Sequence, residues 1–347
     1  MSRTAVVTLA PPLPFEARGP LSSAVLRAVT GSTDSDIVDR ARDAISASPD
    51  VLRDDDVQLA LFTLYAAAYR SVPEIRADAE RDPQLISARH LLEEACESQL
   101  REHILVPETP APTADAVARA LFDLTAPTPG PSLARYVAKS ATADQVRELL
   151  VHRSLYTLRE ADPHSWAIPR LTGRSKAALV EIQADEYGGG RPERMHSVMF
   201  ANAMRGAGLD DTYGAYVDRV PALGLAALNA ISLLGLDARL VGAVVGHLAA
   251  FEMTSSLPSK MYADGLRRLG FDASVSDYFD EHVEADAVHE QIAGRDLAGG
   301  LAEDEPDLVA DIMFGAAVCV TLDEWSGAEI MEAWSAGESS LREGGPL

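Results

Sequence analysis

The sequence contains few cysteines: only Cys96 and Cys319 occur in 347 residues. They are far apart, and neither has the CxxC spacing of a metal or redox site. Cys319 lies in the apolar run FGAAVCV, which is typical of a small core residue. No disulfide framework is predicted, as in proteins of a reducing cytoplasm. The N-terminal stretch MSRTAVVTLAPPLPFEARGP is interrupted by prolines and lacks the apolar region of a signal peptide, so we expect a cytoplasmic protein.

Positive charge is also scarce, because 30 Lys and Arg face 53 Asp and Glu, for a formal charge of −23. This balance argues against a nucleic-acid partner, which needs clustered cations, and equally against an anionic membrane surface. Solubility is the simplest explanation of the acidity. The most apolar region, 220–251, contains Asn229, Asp237, Arg239 and His247. It therefore predicts a buried helical hairpin and not a membrane span.

Alternating β patterns with hairpin turns are almost absent, whereas apolar residues recur at helical spacing. Apolar residues make up 47% of the chain, enough for a large core. We predict an all-α protein. Thr142 and Ser175 are candidate helix N-caps. The predicted helices cover 57–70, 85–105, 142–158, 175–187, 192–208, 237–253, 277–294 and 305–334.

Two Pro-rich stretches interrupt the helices: VPETPAPTAD (106–115) and APTPGPS (126–132). Proline lacks the backbone donor that a helix interior needs, so both are predicted to be linkers. The expected division is an N-terminal helical segment of unknown role (1–110), a Pro-rich linker region (111–134) and a C-terminal domain (135–347).

The stretch YFDEHVEADAVHE places His282, Asp286 and His289 at positions i, i+4 and i+7 of one predicted helix. At about 100° per residue these three side chains share one face. Imidazole together with carboxylate suits iron, manganese or zinc, and carboxylates from other helices would complete a two-metal site inside a bundle. The alternative is an acidic surface helix with two incidental histidines.

Three residues upstream are further candidate ligands. Glu252 ends the apolar helix AVVGHLAAFEM, where a buried charge is costly unless it is paired or metal-bound; alternatively it reaches solvent at the helix end. Glu186 closes a helix before a triple glycine, and His196 begins the next. The glycines lack the strand and the Lys-Ser/Thr of a phosphate-binding loop, so a flexible elbow is favoured. Glu193, one turn before His196, could replace Glu186.

Glu160 lies in LYTLREADPHSWAIPRL, where a helix is expected to pack inward through Leu155, Tyr156 and Leu158. It is a candidate seventh metal ligand. The alternative is a salt bridge with a nearby arginine. His164, which follows an Asp-Pro turn, is interpreted as a structural residue or one that supports a ligand.

The order Glu160, Glu186, His196, Glu252, His282-x3-Asp286-x2-His289 resembles that of the haem-oxygenase-like diiron oxidases and oxygenases, many of them described as iron-containing redox enzymes. ADPHSWAIPRL and EIQADEYGGG are similar to sequence in that group, and the resemblance covers about 135–335. It implies a haem-oxygenase-like up-and-down helical bundle, in which residues 135–347 form a domain that binds two irons. The N-terminal helical segment is additional to this bundle and has no counterpart in the resemblance.

The resemblance also implies roles for the candidate residues. His196 would be a terminal ligand of one iron, and His289 or His282 would be a terminal ligand of the other. Glu186 and Glu252 would bridge or cap the irons. Asp286 would be a ligand from the third helix, and Glu160 matches the extra carboxylate of amine-oxygenating members.

Such enzymes activate dioxygen to oxidise small metabolites. The resemblance implies N-oxygenation of an amine or amino-acid-like substrate, with desaturation or carbon–carbon cleavage left open. The expected partners are a small-molecule substrate and an external electron donor, and the N-terminal segment could serve a homodimer contact or a lid. Two other classes stay open. One is a metal-free relative, such as a tetrapyrrole binder or thiaminase-type hydrolase. The other is a non-enzymatic helical binding protein.

Overall fold

The structure is a computed structural model that describes residues 13–32 and 36–343, with the side chains of 284–287 outside the described part. Within these ranges every regular element is a helix, which confirms the all-α prediction. The predicted ligand Asp286 lies among the side chains outside the described part.

The first part of the chain forms five helices that the structure describes. Asp54 caps the third of them by accepting hydrogen bonds from the backbone N–H groups of Asp56 and Val57. The helices are α1 (Pro20–Val29), α2 (Ile37–Ala47), α3 (Asp55–Tyr69), α4 (Pro83–His103) and α5 (Ala114–Leu124).

The rest of the chain contains the longest helices. They are α6 (Leu133–Lys139), α7 (Ala143–Thr157), α8 (Asp162–Ser165), α9 (Gly173–Glu186), α10 (His196–Gly206), α11 (Ala222–Leu236), α12 (Val241–Arg268), α13 (Ala273–Gln291), α14 (Gly299–Asp304) and α15 (Val309–Ala336), with a π-helical turn at Ile292–Ala298 between α13 and α14.

One of the two predicted N-caps is confirmed and the other is wrong. Thr142 caps α7 in a reciprocal capping box with Gln145, as its hydroxyl predicts. Ser175 is not a cap: α9 begins at Gly173 after Thr172, and Ser175 is buried inside the helix. Gly173, the first residue of α9, has a positive φ of 53°, a left-handed conformation that glycine tolerates.

The packing of α12 against α15 organises the C-terminal part of the fold. A Cβ added to Gly246 would lie 1.8 Å from the carbonyl oxygen of Ile312, and one added to Gly315 would lie 1.8 Å from that of Ala243. The two backbones are therefore in direct contact, which only glycine permits. Helix α13 also packs along α12, so both helices are held beside the same core.

The predicted apolar hairpin at 220–251 is confirmed as α11 and the first part of α12. By length and composition alone, one helix of the described chain, Ala238–Arg268, could cross a membrane, with a mean hydropathy of 1.4. In the fold 61% of its most apolar window is buried, as in a core helix of a soluble protein.

The range predicted as a linker, 111–134, contains α5, which buries Val117, Ala118 and Leu121. The helices before it also contact the C-terminal part: Asn229 of α11 donates hydrogen bonds to the backbone and side-chain oxygens of Gln58 in α3, at 2.9 and 2.8 Å. The proposed division into domains stays a prediction.

Candidate metal centre

Six buried side chains form two groups of donor atoms that share one residue. In each group, one nitrogen or oxygen atom per residue lies within 4.8 Å of all the others. Glu186 belongs to both. The first group is Glu160, Glu186, His196 and His282, and the second is Glu186, Glu252 and His289.

Separate stretches of the chain supply these side chains. Glu160 lies between α7 and α8, and Glu252 lies in the buried part of α12. His282 and His289 are two turns apart on α13 and are 4% and 1% exposed, so the interpretation of α13 as a surface helix is wrong for these two residues. Glu252 is 4% exposed, so it does not reach solvent.

A tight turn joins Glu186, the last residue of α9, to His196, the first residue of α10. Gly188, Gly189 and Gly190 all have positive φ angles, and a Cβ on Gly188 would lie 2.7 Å from the backbone of Arg194. The triple glycine therefore makes a turn that other residues would strain. It brings Glu186 Oε2 to 2.9 Å from His196 Nδ1.

Glu193, the sequence alternative to Glu186, lies in this turn on the protein surface. It belongs to neither group of donors. The structure thus brings Glu186 into the cluster and leaves Glu193 outside, because the glycine turn directs the two carboxylates to different sides.

The orientation of His282 is fixed by the backbone. Its Nδ1 lies 2.7 Å from the carbonyl oxygen of Tyr278. Since a carbonyl only accepts, Nδ1 carries the proton and Nε2 presents its lone pair. That Nε2 lies 3.8 Å from Glu160 Oε1, and the His282 ring is 4.3 Å from the ring of His196.

Tyr278 supports the first group and was missed by the sequence analysis. Its hydroxyl donates to Glu160, at 2.7 Å from Oε1 and 2.9 Å from Oε2, and its ring packs 4.2 Å from that of His282. Tyr278 precedes His282 by four residues on the same helix, so the i, i+4 spacing could have indicated it.

Asp185 is a second neighbour that the sequence analysis missed. His289 Nδ1 lies 3.3 Å from Glu252 Oε2, and its Nε2 lies 3.1 Å from Asp185 Oδ2. The Asp185 side chain is 64% exposed, so no burial pattern marks it in the sequence. With Nε2 held by Asp185, Nδ1 is the nitrogen that faces the donor cluster.

Burial raises the pKa values of two acidic members, Glu160 and Glu252. Desolvation, followed by the negative charge of Glu186, raises the pKa of Glu160 to about 8. Desolvation also raises the pKa of Glu252, partly offset by its hydrogen bond to His289. The Glu160 carboxyl group therefore retains a proton near neutral pH when no cation is bound, and a metal ion would displace that proton.

The pKa values of His282 and His289 are shifted in opposite directions. Desolvation and the nearby His196 lower the pKa of His282 well below its usual range. Burial acts to lower the pKa of His289 too, but the hydrogen bond and charge of Glu252, together with Asp185, raise it to about 9.

A pair of buried histidines, His164 and His247, lies beside the cluster. His164 Nε2 is 3.2 Å from His247 Nδ1, and burial lowers the pKa of both, that of His247 to about 3. Both imidazoles are therefore neutral. His164 lines a small cavity, which the carboxylates of Glu160, Glu186 and Glu252 also line.

One family of known proteins matches the part of the chain that holds this site. A family described as iron-containing redox enzymes matches residues 147–324, just over half of the chain and the range that holds the six clustered donors. No curated protein matches the chain.

Two crystal structures of a CADD-like protein of unknown function from Nostoc punctiforme PCC 73102 are similar at 15% identity. The likeness covers 64% of this chain and 96% of that protein in one case, and 69% and 97% in the other, with TM-scores of 0.48 and 0.45. This distant likeness assigns no function. The family match does assign a family: the chain belongs to the haem-oxygenase-like, iron-containing redox enzymes.

Proposed function

We propose that the chain is a non-haem diiron oxygenase or oxidase that activates dioxygen to oxidise a small metabolite. N-oxygenation of an amine or amino-acid-like substrate is the leading reaction, and desaturation and carbon–carbon cleavage are its alternatives. The observation that carries the proposal is the sharing of Glu186 by two groups of buried donors. One carboxylate between two donor sets is the arrangement expected of a residue that bridges two ions.

The chemistry of the donor set fits iron. Three carboxylates and three imidazoles form a mixed oxygen and nitrogen environment that ferrous iron accepts. Three carboxylates so close together in the interior are costly unless protons or cations neutralise them. By their positions, Glu160, Glu186, His196 and His282 would hold one iron, and Glu186, Glu252 and His289 the other. Asp286 stays a proposed ligand.

When bound, the two ferrous ions would supply electrons for the reduction of dioxygen. The residues of the chain prepare the site for that chemistry. Tyr278 orients Glu160 by donating to both of its oxygens, and the Tyr278 carbonyl fixes the His282 tautomer. The ring of Phe251, 4.9 Å from that of Tyr156, helps to exclude water from the adjoining cavity.

The proposed reaction needs an external reductant. In N-oxygenation, one oxygen atom of O₂ is inserted into an N–H bond to give N–OH, and the other leaves as water. Two electrons and two protons from an external donor complete the balance, so we propose such a donor as a partner together with the small-molecule substrate.

The rival classes make different demands on the same residues. A metal-free hydrolase or tetrapyrrole binder has no need for three carboxylates and three imidazoles in one buried cluster. A helical binding protein with a structural metal would bind an ion but consume no dioxygen. Metal analysis combined with oxygen uptake separates all three.

The decisive experiment is anaerobic titration of the metal-free protein with Fe(II), followed by metal analysis after desalting. We expect two iron ions per chain, and a transient visible absorbance when the loaded protein is mixed with oxygen. If the protein binds no iron, the proposed diiron function is wrong. If it binds iron tightly but does not react with oxygen, the alternative of a binding protein with a structural metal is favoured.

We also propose a cytoplasmic setting without nucleic-acid or membrane partners, in line with the net charge of −23. A homodimer remains a proposal that a measurement of mass in solution would test.

A further inference from the structure

Glu160, one of the proposed iron ligands, lies in a short turn between α7 and α8 and not inside a helix. A turn has fewer backbone hydrogen bonds than a helix, so side-chain contacts are needed to fix the position of its carboxylate. One such contact closes the turn, because Arg159 Nη1 lies 2.9 Å from Asp162 Oδ2. Asp162 therefore holds one end of the turn that carries Glu160.

The second carboxylate oxygen of Asp162 contacts a different helix. Asp162 Oδ1 accepts a hydrogen bond of 2.9 Å from the hydroxyl of Tyr187, and Ser165 Oγ lies 3.1 Å from the same hydroxyl. Asp162 and Tyr187 are both half-buried, so water competes less with this contact. Tyr187 is the residue that follows Glu186 at the end of α9. One carboxylate thus connects the turn of Glu160 to the helix end that presents Glu186.

Two other contacts hold the same stretch of chain against other helices. A Cβ added to Gly235 of α11 would lie 2.6 Å from the carbonyl oxygen of Pro163, so the two backbones touch. His164 Nε2 lies 3.2 Å from Nδ1 of His247, which belongs to α12. Neither contact involves α9, whereas the Tyr187 hydroxyl joins the stretch to the end of that helix.

The separation of Glu160 and Glu186 matters because both carboxylates belong to the first group of donors. The second group contains Glu186 but not Glu160. A movement of the turn relative to α9 would therefore disturb the first group and leave the second in place. Residues that hold a metal ligand in position typically change metal affinity by about 10- to 100-fold.

We infer that Asp162 is a positioning residue, which sets the separation of the Glu160 and Glu186 carboxylates through its hydrogen bond with Tyr187. This inference rests on the proposed function, since it concerns the affinity of one of the two proposed iron sites. The two stretches that resemble family sequence, ADPHSWAIPRL and EIQADEYGGG, each supply one partner of this hydrogen bond.

Tyr187→Phe removes only the hydroxyl and keeps the ring, so it breaks this hydrogen bond with little other change. The affinity of each site for Fe(II) is measured by anaerobic titration of the full-length, metal-free protein. Glu160→Gln and Glu252→Gln, each of which should weaken one site, identify the two sites. We expect Tyr187→Phe to weaken the first site by about 10-fold or more and to leave the second within about twofold. Wild-type affinity at both sites, or an equal loss at both, would overturn the inference.

Tyr216→Phe is the matched control, because the Tyr216 hydroxyl also makes a hydrogen bond, with the backbone N–H of Asp210 at 2.9 Å, and belongs to neither group of donors. It should bind both irons as the wild type does. Urea unfolding of the two metal-free variants measures the structural role of each hydroxyl. If Tyr187→Phe lowers stability but keeps both affinities, the hydrogen bond only supports the fold, and the inference is wrong.

The other partner of the hydrogen bond is tested by Asp162→Asn, which keeps the volume but loses the charge and one acceptor. It should weaken the first site too. If both variants act on the same hydrogen bond, the double variant should weaken the first site by less than the product of the two single losses. A loss equal to that product would show that Asp162 and Tyr187 act independently, which contradicts the inference. Asp162→Asn is the principal test if Tyr187→Phe does not fold.

A measurement on the metal-free protein distinguishes this inference from the function on which it rests. His282 Nε2 lies 3.8 Å from Glu160, whereas His289 contacts Glu252. In nitrogen NMR spectra of the metal-free protein, Tyr187→Phe should therefore shift the ring resonances of His282 and leave those of His289 unchanged. A protein that binds no iron defeats the proposed function, while this shift still tests the inference. A protein that binds two irons but shows neither the shift nor the selective loss of affinity defeats only the inference.

Discussion

Glu186 and His196 close opposite ends of a turn of three glycines, and the carboxylate Oε2 of one lies 2.9 Å from Nδ1 of the other. This contact joins two helices at the centre of the donor cluster. Because Glu186 also faces Glu252 and His289, it connects the two groups, and this position makes its loss different from the loss of any other donor.

The first prediction concerns the number of irons bound. Glu186→Gln is expected to weaken both sites, whereas Glu160→Gln and Glu252→Gln should each weaken one, because only Glu186 belongs to both groups. Anaerobic Fe(II) titration should show a loss of both irons for the first variant and of about one for the others. The control is Glu181→Gln, an exposed carboxylate on the same helix, which should bind iron as the wild type does. Retention of two tightly bound irons by Glu186→Gln would disprove the shared role.

The second prediction concerns Asp185 as a positioning residue. Its carboxylate accepts from His289 Nε2 and so leaves Nδ1 to face Glu252 and the cluster. Asp185→Asn should weaken one of the two iron sites by about 10- to 100-fold and leave the other unchanged. The measurement is the same titration, supported by the visible d–d absorption spectrum of the Co(II)-substituted protein, in which one of two ligand environments should change. An equal loss at both sites would point instead to a general disturbance of the fold.

The third prediction concerns the contact between α12 and α15. Gly246→Ala and Gly315→Ala place a methyl group where the other backbone already lies, so each should destabilise the protein by about 1–3 kcal/mol or prevent folding. Gly327→Ala is the matched control on α15, because its Cβ would meet only Leu133 at 3.9 Å. It should be neutral or stabilise by up to about 1 kcal/mol. Urea unfolding measures all three, and comparable losses in control and test variants would contradict the close approach.

The fourth prediction concerns the pH dependence of the metal-free protein. The pKa of Glu160 is raised to about 8 and that of His289 to about 9, so both groups bind more protons in the folded state than in the unfolded state. Their contribution to the free energy of unfolding is present at low pH and is lost as the pH rises through these pKa values. The free energy of unfolding should therefore fall by roughly 1–3 kcal/mol between pH 7 and pH 9.

Between pH 7 and pH 9 the buried neutral histidines do not add a change in stability of the opposite sign. Because the pKa of His282 and of His164 is lowered, their stabilisation is lost only as pH falls below their unfolded value near 6.5. Denaturant titrations at pH 7 and 9 in the presence of a chelator make the measurement. Glu160→Gln should reduce the loss, and an unchanged pH dependence in that variant would show that Glu160 is not its source.

Much of the cluster was predictable from residue types and spacing. His282 and His289 are two turns apart on one helix, so helical geometry alone places them on one face. Glu252 was recognisable because a charge at the end of an apolar run needs a partner. The structure brings these three residues into the cluster together with Glu160, Glu186 and His196.

Other features depend on contacts between distant parts of the chain. The choice between Glu186 and Glu193 follows from the direction of the glycine turn, which sequence spacing does not express. Asp185 is an exposed carboxylate on an acidic protein, and only its distance to His289 distinguishes it.

The sequence by itself determined the helical class and the donor residues available to bind a metal, because helical periodicity and side-chain chemistry are local properties. Only the tertiary structure decided that Glu186 faces both donor groups and that Tyr278 holds Glu160. Those relationships arise when helices far apart in the chain pack together, and the distances between them are set by backbone contacts such as that of Gly246 with Ile312.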